Sequence, residues 1–268
     1  QAPEAAGAGV SVFCFSVVVP GTEEVALLRQ HLREGMLSGC DAFAAYSNAS
    51  LAELLGAEGW PGLQGGRVLR GPMASQQVPN PANPAATIAN NTHVFVQAWR
   101  EVVRSGAFRQ HNWTLRVDTD VVFSPGRLRY LLRRRGARAW RRNSSVALFG
   151  TGGPDGGWLP PCKRVNGPIF ALSRAAMEAY ALRGEVCDTS LPAEDGYMFK
   201  CMKSLGVRIL RDPHLFANGR SRCCGAACSP WAAAAHPLRQ EEEARRCLQA
   251  FNDDQIPPRR LEGLCPSS

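Results

Sequence analysis

The sequence contains no run of eighteen apolar residues, so nothing in it reads as a membrane-spanning helix, and any signal or anchor is expected to lie outside this stretch. No Gly-Lys-Ser/Thr follows the glycine-rich segment 150–157 (GTGGPDGG), and its glycine spacing departs from a dinucleotide fingerprint. Both common phosphate loops are thereby excluded. No internal repeat is visible, which argues against a solenoid. Apolar residues are not scarce: 45% hydrophobic and 20% charged is an ordinary globular composition, and long-range disorder is excluded. With 268 residues the chain can bury a large core, and one domain is favoured over two small ones.

The formal net charge is +8, a balance that suits a nucleic acid, an acidic glycan or a membrane surface. The arginines concentrate in 127–142 (RLRYLLRRRGARAWRR), however. This reads as a helix opened by Pro125 whose Leu and Tyr stripe packs down, its arginines facing water; a patch for an acidic acceptor or membrane surface is the alternative. Ten cysteines, an even number, accompany four acceptor sequons at Asn48, Asn90, Asn112 and Asn143. Together they point to an oxidising compartment, the lumen of the Golgi or ER or the exterior, where nucleic acid is not an expected partner. Cys223, Cys224 and Cys228, with His214 and His236, raise zinc as an alternative. Their spacing matches no recognised finger, so disulfides are expected instead, with connectivity open.

Along the chain, 1–9 reads as a flexible leader, 10–252 as the folded domain and 253–268 as a Pro-rich tail. Residues 10–19 (VSVFCFSVVV) predict a buried first strand, and Thr22 caps a helix over 23–37. Strands follow at 41–47 and 67–70, with a short helix at 51–55 between them. Residues 71–89, rich in Pro and Asn, predict a long loop at the rim of a pocket. Asn91 is placed to cap a helix over 92–104. Strands are expected at 145–149, 166–172 and 207–210, helices from 173 to 182, from 193 to 206 and from 239 to 251. Strand and helix in alternation mean a mainly parallel α/β architecture.

The stretch 113–123 (WTLRVDTDVVF) alternates with the period of a strand, placing Asp118 and Asp120 on one face about 6.6 Å apart. Two carboxylates so close repel unless a cation holds them. A calcium loop would need more oxygen ligands and a glycine, and glycosidase acids must flank the sugar from opposite sides, so neither fits; a plain turn remains open.

Three stretches in order, LRVDTDVVF, NGPIFALSRAAMEAY and AEDGYMFKCMKSLGVRIL, resemble GT-A glycosyltransferases, particularly the fringe and β1,3-galactosyltransferase type. The resemblance implies a single Rossmann-like α/β domain with a mixed, mainly parallel sheet flanked by helices. It implies a hexosyl- or pentosyltransferase using a nucleotide-sugar donor, usually a UDP-sugar, with Mn2+ or another divalent cation, and a glycan or glycoprotein acceptor. Carried over residue by residue, Asp120 is the direct metal ligand, Asp118 meets the ribose or a metal-bound water, and His236 offers a third ligand. Arg116 lies deeper on the same face as a pairing partner. Asp195 is the first candidate for the base of an inverting reaction and Glu194 the second, a helix cap being the bland alternative. Phe13, Ser16 and Val18 are candidates for a uracil wall, though core packing explains them equally. The rival readings are a non-catalytic lumenal nucleotide- or carbohydrate-binding protein of the same fold and a metal-dependent nucleotidyl or phosphoryl transferase.

Overall fold

In the computed structural model the first apolar run becomes strand β1 (Val12–Val17). The structure describes residues 9–57, 59–73, 75–80, 83–140, 145–151, 165–218, 228 and 232–253. The Thr22 side chain caps helix α1 (Glu23–Arg33) by accepting from the Glu24 N–H, and acids in its first turn and bases in its last complement its dipole. The expected extension to 37 is instead a separate 3-10 turn, Leu37–Gly39. Strand β2 (Ala42–Ser47) follows, then α2 (Leu51–Leu55), whose start is a Ser50/Glu53 capping box. Strand β3 (Leu63–Arg67) corrects the expected 67–70 strand. Its Gly65 and Gly66, at φ of +100° and +92°, weaken the local strand signal, but a Cβ on Gly65 would meet the Ala45 carbonyl at 2.3 Å. Close approach to β2 demands glycine there.

Segment 71–89 is not a plain loop. Strands β4 (Gln76–Asn80) and β5 (Asn83–Asn90) pair antiparallel as a ribbon. A ribbon has only edges, which is where Pro79 and Pro84 are tolerated. Helix α3 (Thr92–Ser105) then packs its apolar stripe inward and leads to β6 (Trp113–Val117). The remaining elements are β7 (Val122–Phe123), α4 (Pro125–Trp140), β8 (Val146–Thr151), β9 (Val165–Ser173), α5 (Arg174–Arg183), α6 (Glu194–Ser204), β10 (Arg208–Asp212), β11 (Ala217–Asn218), β12 (Ala234–His236) and α7 (Glu241–Asp253).

The main sheet has seven strands in the order β10-β8-β9-β6-β1-β2-β3. Only β9 runs antiparallel to its neighbours, so the chain is one mixed α/β domain with a mainly parallel sheet flanked by helices, as expected. Alternation along β1 sorts the core: Val12 and Cys14 face α1, α4 and α7, while Phe13 and Phe15 face α3, α5 and α6. Phe13, Ser16 and Val18 are buried at this level, so core packing is the reading that holds for them. In α4, Leu128, Leu131 and Leu132 pack down as expected, but not all of its arginines face water. Buried Arg127 donates to the carbonyls of Ala232, Ala250 and Phe251, and Arg129 to Gly39 and to Asp41. The Arg127 bonds tie the C-terminal segment to α4, and those of Arg129 tie α4 to the stretch before β2.

Disulfides join Cys14 to Cys40, Cys187 to Cys201 and Cys228 to Cys247, compatible with a lumenal or secreted protein. Cys228 is thereby removed as a zinc thiolate, while Cys162, Cys223, Cys224 and Cys265 lie outside the described residues. So do residues 1–8 of the leader, residues 254–268 of the tail, Asn143 and most of the glycine-rich segment 150–157. Among the described residues no helix is long and apolar enough to cross a membrane.

Candidate functional site

The strand order itself opens a crevice. From β1 the chain moves to β2 and β3 on one side, whereas β6 pairs with β1 on the other. In a parallel sheet such a reversal parts the loops leaving the two strands at their C-terminal ends, the place where ligands bind. A pocket of about 440 Å³ lies there, lined by Val17 at the end of β1, by Val19 and Glu24 beyond it, by Asp118, Thr119 and Asp120 after β6, and by His236 and Arg239. The ribbon contributes Gln77 and Ala89, so segment 71–89 does stand at a pocket rim, as expected, although it is a ribbon.

The two aspartates do not share a strand face, which corrects the expected strand over 113–123. β6 ends at Val117, and Asp118 to Val121 form a turn closed by the Val121 N–H on the Asp118 carbonyl. The turn is fixed at both ends of its short path: the Asp118 N–H donates to Pro168 and the Leu238 N–H to the Asp120 carbonyl. Antiparallel pairing of β7 with β12 sets Ala235 opposite Val122, and one step further along this register brings His236 to the turn. Its Nε2 lies 3.3 Å from Asp120 Oδ1. Side-chain ligand atoms of Asp118, Asp120 and His236 all lie within 4.8 Å of one another. Two carboxylates and an imidazole at that separation fit one divalent cation, with ligand bonds of about 2.0–2.2 Å and open positions for other oxygens.

Arg116 lies beneath this group, 3% exposed. It reaches Asp118 Oδ1 at 2.7 Å, Glu194 Oε2 at 3.3 Å and the Gly167 carbonyl at 2.6 Å, and its guanidinium stacks 4.2 Å from the Phe95 ring centroid. Glu194, 2% exposed, also accepts from the Trp99 indole N–H. Burial pushes the Glu194 carboxyl up to about 7 against the pull of Arg116 and Trp99. The two site aspartates diverge, as two close acids do. Burial raises Asp118 despite Arg116. At Asp120 burial also acts upward, but the His236 bond and the charges of His236 and Arg239 outweigh it and hold the carboxyl below its ordinary value.

Asp195 follows Glu194 in the first turn of α6, its carboxylate accepting from the Gly196 N–H and its Cβ against Gly167. Burial raises its pKa, opposed by the Gly196 N–H and by Arg116. Neither Asp195 nor Glu194 lines the pocket. Asn91, expected to cap α3 with its side chain, instead accepts from the Glu194 N–H and so caps α6.

Sequence reasoning missed Glu24 and Arg239. Glu24 reads as a helix-dipole acid, yet its Oε2 accepts from the Val19 N–H at 2.8 Å, and burial raises its pKa to about 7. Arg239 reads as the start of a charged helix. At the end of β1, Val17 and Val19 face the pocket in place of the residues expected at a base-binding wall.

No known protein-family model matches the chain, and no curated protein matches it. Many solved structures resemble it, and two of them show how distantly. One is a glycosyltransferase involved in the glycosylation of the major capsid of PBCV-1, with 12% identity and a TM-score of 0.47 over 89% of this chain and 99% of that one. The other is CMP:2-keto-3-deoxy-manno-octonic acid synthetase complexed with CTP, with 8% identity and a TM-score of 0.45 over 91% of this chain and 99% of that one.

Proposed function

We propose that the protein is a lumenal, metal-dependent glycosyltransferase that moves a hexosyl or pentosyl group from a nucleotide sugar, a UDP-sugar first among them, to a glycan or glycoprotein acceptor with inversion. The observation that carries this reading is the convergence of Asp118, Asp120 and His236 in a pocket at the switch point of a parallel sheet. A divalent ion such as Mn2+ held by these three residues would offset the charge that develops on a leaving diphosphate. Arg116 opposes the burial that raises Asp118 and holds its carboxylate in place, since its guanidinium is itself clamped by Glu194, Gly167 and Phe95. Glu194 is the buried counter-ion of that clamp.

Asp195 takes the role of base. As the acceptor oxygen bonds to the anomeric carbon and the bond from that carbon to the diphosphate oxygen breaks, the hydroxyl proton passes to the Asp195 carboxylate. Burial makes that carboxylate a stronger base than an exposed one.

The test is thermal stability against a panel of nucleoside diphosphates with and without Mn2+. A ligand at 100 times its Kd adds about 2.7 kcal/mol. One nucleotide is expected to raise Tm only with Mn2+, and Asp120→Asn to lose that shift. Asp195→Asn is expected to keep the shift and lose sugar transfer. Absence of any shift favours a non-catalytic protein that does not bind nucleotides, a product that retains phosphate favours a nucleotidyl or phosphoryl transferase, and normal transfer by Asp195→Asn removes the base role.

A further inference from the structure

Arg239 reaches the centre of charge in the pocket. Its Nε lies 3.6 Å from Asp120 Oδ2 and its Nη1 3.2 Å from Glu23 Oε1. His236 Nε2 stands 3.3 Å from the other Asp120 oxygen. Each oxygen of Asp120 therefore has a basic side chain beside it. One residue before Arg239 the backbone is pinned, because buried Leu238 donates its N–H to the Asp120 carbonyl at 2.9 Å. Beyond that pin the Arg239 side chain is 63% exposed. The guanidinium can swing without disturbing the turn that carries the aspartates.

A divalent ion and a guanidinium on the same carboxylate repel each other. A guanidinium fork also matches the oxygens of a phosphate better than those of one carboxylate already shared with an ion. We infer that Arg239 is a displaceable counter-ion: it leaves Asp120 when the metal binds, keeps Glu23 as its standing partner, and turns its fork onto the phosphate oxygens of a nucleoside diphosphate. This rests on the metal and diphosphate reading given above. It makes Arg239 a competitor of the metal and an ally of the nucleotide, two effects of opposite sign.

Opposite signs make the test sharp. Mn2+ alone is titrated into the wild-type protein and into Arg239→Gln, with free Mn2+ followed by electron paramagnetic resonance; UDP is then titrated calorimetrically at saturating Mn2+. Arg239→Gln is expected to bind Mn2+ roughly two- to fivefold more tightly, as befits loss of one exposed ion pair. It is expected to bind UDP roughly tenfold or more weakly, as befits loss of a charge-assisted bond. Arg239→Lys, which keeps the charge without the fork, is expected to bind Mn2+ like wild type and UDP with intermediate affinity.

If Arg239→Gln matches wild type in both titrations, or weakens both, the inference is overturned while the metal site stands. A wild-type protein that binds no Mn2+ overturns the metal reading, and this inference with it. Wild type that binds Mn2+ but not UDP overturns the nucleotide half.

Discussion

Replacing Arg116 by Met removes the cation on which two acids depend. Arg116 and Glu194 are 3% and 2% exposed and 3.3 Å apart, and the second acid, Asp118, lies 2.7 Å away on the pocket side. Met fills much of the same volume, so the loss is one of charge pairing more than of packing. Breaking a buried pair by deleting one partner costs about 3–5 kcal/mol. For a domain of this size that is roughly 6–20 °C of Tm, at about 2–4 °C per kcal/mol.

The deficit is expected to depend on pH, with a sign that follows from Glu194. Its carboxyl stands at about 7 in the fold against 4.5 ordinarily, burial being the main cause, so the folded state binds the proton more tightly than the unfolded one. That contribution to stability is complete below 4.5 and is lost as pH rises through 7. Without Arg116 the carboxyl moves further up, and the loss extends to higher pH. Urea midpoints at pH 5 and pH 8 are the assay: Arg116→Met is expected to fall further behind wild type at pH 8. Adding Glu194→Gln to Arg116→Met removes the stranded carboxylate and is expected to recover part of the deficit at pH 8. A single variant within about 1 kcal/mol of wild type, or a double variant no better than the single one, would refute the reasoning.

Glu24→Gln is expected to flatten the fall of stability between pH 4.5 and 7, because the raised Glu24 carboxyl, half-buried beside the Val19 N–H, stabilises the fold when protonated and loses that contribution as pH rises through about 7; urea midpoints at pH 5 and pH 7.5 that change as in wild type would contradict this. Gly167→Ala is expected to cost about 1–3 kcal/mol, since the added Cβ would meet the Asp195 Cβ at 2.1 Å and push α6 off the sheet. Transfer should slow with it. Wild-type Tm and turnover in that variant would show that the contact is soft.

Much of the scaffold was legible because its signals are local. The continuous run that makes β1, the Thr22 and Ser173 caps and the α6 stop at Gly206 each lie within a few residues of the element they define. Where the local signal misleads, a distant partner has intervened. Gly65 and Gly66 look like strand breakers, but the close passage of β3 by β2 requires them. Pro79 and Pro84 look like loop residues, but a two-stranded ribbon leaves edges on which they fit. Asn91 has the composition and position of a cap for α3; the chain end of α6 packed beside it takes its side chain instead.

The sequence by itself determined the alternation of strands and helices, the acid pair Asp118/Asp120 and the oxidising chemistry of the cysteines, because periodicity, spacing and composition are properties of short stretches or of the whole chain. Only the tertiary structure decided that the acids sit on a turn, that β12 delivers His236 to them across more than a hundred residues, and that Arg116, Glu194, Glu24 and Arg239 surround them. The reason is physical: charges set one another's roles through distance and burial, and neither quantity exists until the sheet has closed the chain upon itself.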